Sequence, residues 1–100
     1  MTINASLSPD GDELNLAIDG RFDFNIHTEF RDAYRNVPNT TRFVVDLART
    51  TFIDSAALGM LLLLREFVGE DEGAVRIRNC QPEVRRVLQV SNLDRLFVVE

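Results

Sequence analysis

One hundred residues and 11.4 kDa hold a single domain, which buries about 65% of the surface its extended chain exposes; two separate cores are excluded. An apolar content of 45% excludes a disordered chain, and sixteen acids against eleven bases (formal charge −5) argue against a nonspecific nucleic-acid binder. All eleven bases are arginine, so chemistry that needs a lysine Schiff base or a Walker-type phosphate lysine is excluded as well.

The N-terminus reads as a hairpin. Ile3, Ala5 and Leu7 alternate with polar residues, Gly11 sits in a turn-forming stretch, and Leu14, Leu16 and Ile18 repeat the period of two before Gly20. A hairpin needs a partner surface, so it should open a larger sheet. From Asn25 the period becomes helical: Ile26, Phe30, Ala33, Tyr34 and Val37 form one stripe, with Asn25 as N-cap and Pro38 ending the helix after Val37. Phe43, Val44 and Val45 in succession predict a central strand covered on both faces.

A six-residue connection then leads to Asp54 and Ser55, which can cap a second helix running to Phe67 and closed by Gly69 and the acidic residues 70–72. Val75 and Ile77 face one way on a short strand and Arg76 and Arg78 the other. Pro82 suits the first turn of a third helix with Val84, Val87 and Leu88 buried, and Leu93 with residues 96–99 forms a short element of undefined placement. The order β–β–α–β–α–β–α predicts one α/β domain over residues 1–100. Its small mixed sheet has four to five strands and helices mainly on one face.

Single residues offer little chemistry. Cys80 stands alone, which rules out an internal disulfide or a cysteine metal cluster, and reads as a small buried hydrophobe near a strand end. His27, also alone, reads as a surface or local hydrogen-bonding group. The first fifteen residues carry three acids, no base and no apolar core for a secretion signal, and the longest apolar run spans nine residues, 56–64. About 17 are needed to cross a bilayer, so no membrane is called for and a reducing, cytoplasmic setting is expected. Neither a metal nor another cofactor is called for.

The second helix is more informative. Its first turn offers free N–H groups and the positive end of the dipole to an anion, and a hydroxyl there could carry a phosphate. Ser55 and Asp54 also read simply as caps. At 100° per residue, Ala57, Met60, Leu61, Leu64, Phe67 and Val68 make a sufficient core face. Leu58 and Leu62 fall among Ser55, Arg65, Glu66 and Gly69, and read either as ordinary apolar surface or, the favoured reading, as a docking patch rimmed by Arg65 and Glu66. Covering both would contribute about 3–5 kcal/mol before association costs.

The stretch Val44-Val45-Asp46-Leu47 followed by Phe52-Ile53-Asp54-Ser55-Ala56-Ala57-Leu58-Gly59 resembles the signature of the STAS domain, in particular of bacterial anti-sigma factor antagonists. The opening strand pair, Gly20-Arg21-Phe22-Asp23 and the spacing to Pro82 extend the likeness over essentially the whole chain. The resemblance implies a non-catalytic protein, a monomer when free, that works by partner switching. The unphosphorylated antagonist binds an anti-sigma factor, often a serine kinase, and so releases a sigma factor. Phosphorylation blocks the complex and a PP2C-like serine phosphatase restores it.

Carried onto this chain, the resemblance makes Asp23, Asp54, Ser55, Ala56, Ala57, Leu58, Gly59, Leu62 and Arg65 the partner-binding residues. The phospho-acceptor position falls on Ala56, which has no hydroxyl. This is either a naturally non-switchable member or a chain in which alanine replaces serine to lock the binding form; the otherwise intact pattern favours the second. A non-catalytic scaffold within a larger regulatory complex is the competing reading. A receiver-like or hydrolytic use of Asp23, Asp46 and Asp54 lacks a lysine and has no histidine base following the three, and nucleotide binding lacks a glycine-rich loop. Arg76, Arg78, Arg85 and Arg86 read as solvated surface.

Overall fold

Residues 3–37, 41–69 and 74–100 are described in a computed structural model. Strands β1 (Ile3–Leu7) and β2 (Glu13–Ile18) form the expected antiparallel hairpin. Its turn is closed by Ser8 N–H···O Glu13 (2.8 Å) and Gly11 at φ +78°, a left-handed conformation that glycine adopts without strain. The five-stranded sheet continues in parallel through β4 (Arg42–Asp46), β6 (Val75–Arg78) and β7 (Val98–Val99), in the order β1-β2-β4-β6-β7. The mixed sheet and central β4 are as the pattern predicts.

Register shows how the sequence divides the two faces. Leu14 pairs with Phe43 and Phe43 with Val75; Leu16 pairs with Val45 and Val45 with Ile77. All six belong to one core with Phe30 and Tyr34 of α1 (His27–Tyr34), Ala57, Met60, Leu61 and Leu64 of α2 (Ser55–Phe67), and Val84 and Leu88 of α3 (Pro82–Val90). The opposite residues, Asn15, Val44 and Arg76, look away from that core; even so Val44 is only 1% exposed. Edge-to-face rings tie the layers together, Tyr34 meeting Phe43 at 6.1 Å and Phe67 at 5.2 Å between centroids. Among the described residues no helix is long and apolar enough to cross a membrane.

Several local expectations need correction. The connection before Asp54 is not all loop: Thr50–Ile53 is strand β5, and Gly20–Phe22 continues past the hairpin as β3. These two pair in parallel as a separate ribbon, and the Thr50 hydroxyl ties β5 to the end of β2 by donating to Ile18 O at 2.8 Å. Asn25 is not the cap of the first helix. Asp23 caps a 3-10 turn over Phe24–Ile26 that feeds α1, and α1 ends at Tyr34, short of Val37. Pro38 and residues 70–72 lie outside the described residues.

Ala5 and Leu7 alternate as expected yet stay exposed, Ile3 alone of β1 being buried. The loosely placed C-terminal element resolves into a 3-10 turn (Leu93–Arg95) and β7. Arg76 and Arg78 keep the exposed side chains expected of them, and both pair at the surface with Glu100, at 3.6 and 3.0 Å.

Candidate functional site

The β3–β5 ribbon builds the entrance to α2. Phe22 and Ile53 are register partners turned into the core, which leaves their neighbours Arg21 and Phe52, also partners, on the outer face. Both strands stay extended one residue further, at Asp23 (φ −139°, ψ −174°) and Asp54 (φ −118°, ψ −179°), so alternation returns both aspartates to that outer face. Asp54 N–H donates to Phe22 O at 3.4 Å, joining the two strand ends.

Each aspartate also caps the helical turn that its strand runs into. Asp54 Oδ1 accepts the Ala57 N–H at 2.9 Å and starts α2. Asp23 Oδ1 accepts the Asn25 N–H at 3.0 Å, and its Oδ2 accepts Arg21 Nε–H at 3.1 Å. Asp23 itself is buried, whereas the Arg21 guanidinium lies 4.1 Å from the centroid of the Phe52 ring. Ser55 is not the cap: it is the first helical residue, exposed, and its hydroxyl takes no part in the capping bond.

The nine residues singled out are brought into one region but not onto one surface. Ser55 and Gly59 are exposed, and Ala56 is half-buried. A Cβ at Gly59 would meet no heavy atom within 4 Å. Ala57 is fully buried and packs beneath the surface. Leu58 is half-buried against the core, so the expectation of a leucine wholly among polar neighbours holds only for Leu62, which is 36% exposed. Arg65 is half-buried with Nε donating to Leu96 O at 3.3 Å.

Sequence reasoning missed the most exposed leucine of α2, Leu63, at 59%. Eight residues after Ser55, it lies about 80° around the helix from it, beside Gly59, and a full wheel shows this. Phe24 and Phe52 were also missed: Phe24 stacks on His27 at 4.2 Å, and His27 Nδ1 lies 2.8 Å from Phe24 O, a local role of the kind expected for this histidine.

Titratable groups with displaced pKa values sit elsewhere. Desolvation pushes the Tyr34 hydroxyl and the Cys80 thiol up, hydrogen bonds from the Ser8 hydroxyl and the Asp12 N–H hold Asp10 down, and the Glu100 carboxylate raises Arg78. Among the described residues no group of three or more His, Cys, Asp or Glu side chains is placed to hold a metal ion. What the α2 entrance presents is a surface of small, apolar and fixed charged groups.

A regulatory domain of the STAS class matches this fold. The family model described as "Mlab, STAS domain" matches residues 5–100, and the chain belongs to that family, whose members are non-catalytic regulatory modules. A STAS-domain containing protein of Pseudomonas aeruginosa (strain UCBPP-PA14) is 51% identical over 100 residues, covering 99% of each chain.

Among solved structures, the anti-sigma factor antagonist SpoIIAA of Bacillus is similar in both of its forms. The unphosphorylated form gives a TM-score of 0.75 at 18% identity, over 98% of this chain and 87% of that one. The phosphorylated form gives 0.65 at 17% identity, over 98% and 90%. An anti-sigma factor antagonist from Mycobacterium paratuberculosis gives 0.75 at 19% identity, over 97% and 84%. At these identities the likeness is one of fold.

Proposed function

We propose that this STAS domain is a cytoplasmic anti-sigma factor antagonist that acts by partner switching. The first turn of α2 and its outer face bind an anti-sigma factor, which then releases its sigma factor. One observation carries the reading: half-buried Ala56 sits between exposed Ser55 and Gly59, one to two turns from exposed Leu62 and Leu63. Small residues let a partner's backbone approach, and the leucines supply apolar area. Alanine at the phospho-acceptor position keeps the surface in its uncharged, binding-competent state. A serine there would be open to a kinase, which can be the anti-sigma factor itself, and to a PP2C-like phosphatase.

The test is a negative charge at position 56. Ala56 is the second residue of α2, where an acid interacts with the helix dipole by about 0.3–1 kcal/mol, so Ala56→Asp should fold normally despite Asp54. Affinity for the cognate anti-sigma factor should fall at least tenfold, and Ala56→Ser should restore phosphorylation when that factor is a kinase. Equal affinity of the chain and Ala56→Asp would refute charge gating.

A further inference from the structure

Arg21 is held in one position before any partner arrives. Its Nε donates to Asp23 Oδ2 at 3.1 Å, and its guanidinium lies over the Phe52 ring. Among the described residues neither Nη1 nor Nη2 has a partner, and the side chain is 65% exposed. Ordering a free arginine on binding costs conformational entropy, and here a carboxylate and an aromatic ring have already met that cost. Because Nε is occupied, the open geometry is the end-on pair of Nη N–H groups, spaced for the two oxygens of a carboxylate.

We infer that Arg21 is a recognition residue for an acidic side chain, Asp or Glu, of the protein that docks on α2, and that Asp23 is a positioning residue acting through Arg21. The inference rests on the proposed function and names the chemistry of its partner. Place supports it: Phe52, under the guanidinium, is two extended residues before Asp54, roughly 7 Å along β5, and Ala56 lies in the first turn of α2. Charge weighs more heavily against a phosphate than against a single carboxylate. Asp23 already neutralises Arg21 and Asp54 shares its face, so a dianion would meet excess negative charge. The partner's acid beside Arg21 also gives a physical reason for the switch, since a negative charge at position 56 would repel it.

The experiment measures affinity of the full chain for the purified cognate anti-sigma factor by titration calorimetry, with melting curves as the folding control. Arg21→Gln should weaken binding about tenfold or more, as expected for losing a charge-assisted pair. Arg21→Lys, which keeps charge without the fork, should fall between. Asp23→Asn keeps an oxygen for the Asn25 N–H but loses the Arg21 anchor. It should weaken binding severalfold in the native background and not at all on top of Arg21→Gln, a dependence that a merely structural role would not produce.

Arg21→Gln binding as tightly as the native chain, while Ala56→Asp still weakens the complex, overturns the inference and leaves the proposed function standing. Failure of the native chain to bind overturns the proposed function itself.

Discussion

Leu63 and Leu64 are neighbours in sequence and about 100° apart around α2, and they have opposite jobs. Leu64 is fully buried and Leu63 is 59% exposed. Leu64→Ala should cost about 2–5 kcal/mol of stability, lowering the melting point by roughly 10 °C or more in a domain of this size. Leu63→Ala removes little covered surface and replaces one good helix former by another, so it should cost about 1 kcal/mol or less.

Binding reverses the order. The exposed parts of Leu62 and Leu63 together equal about one leucine, so covering them contributes roughly 1.5–3 kcal/mol, or about 10- to 150-fold in affinity. That is less than a pair of fully covered leucines would supply, because Leu58 is already packed in part against the core. Denaturation followed by circular dichroism, and calorimetric titration with the anti-sigma factor, separate the two. A melting loss for Leu63→Ala as large as for Leu64→Ala would refute the helix phase. Unchanged affinity for Leu62→Ala/Leu63→Ala would remove this face from the interface.

Gly59→Ala should raise stability by about 0.8–1 kcal/mol, since the added methyl meets open space in a helix interior, yet weaken the complex if a partner backbone approaches there; unchanged stability would contradict the first half. Asp54→Ala removes the α2 cap and should cost about 1 kcal/mol in a urea titration, with Asp54→Asn retaining most of it. Cys80 is half-buried rather than buried as its sequence setting suggested, and desolvation still raises its pKa in the folded chain, so the neutral thiol contributes stability that is present below the unfolded value near 9.0 and lost as pH rises through the higher folded one. Alkylation at pH 8 should be slower in the native chain than in urea, and equal rates would contradict it.

Periodicity made the main sheet and helices legible because each writes its burial into a short window: Leu14, Leu16 and Ile18, or Ala57, Leu61 and Leu64. The β3–β5 ribbon was not legible. Its strands are three and four residues long and lie about thirty residues apart, and the buried Thr50 hydroxyl that anchors β5 to the end of β2 reads as loop chemistry. The start of the first helix is hidden for a related reason, since Asp23 caps a 3-10 turn that the helical stripe conceals. At the candidate site, the Asp54 cap was legible from local logic, whereas Ser55 turned out to be the first helical residue and Gly59 entered only through the family resemblance. The fixing of Arg21 by Asp23 and Phe52 was not legible, because the arginine–phenylalanine contact exists only once the ribbon pairs.

The docking claim is tested most directly by backbone amide NMR of the labelled chain during titration with unlabelled anti-sigma factor. The largest shifts should cluster at Ser55, Ala56, Gly59, Leu62 and Leu63 and reach the Arg21 Nε–H, with little change at Asn15, Val44 and Arg76. Shifts concentrated on that opposite sheet face, with the α2 entrance silent, would contradict it.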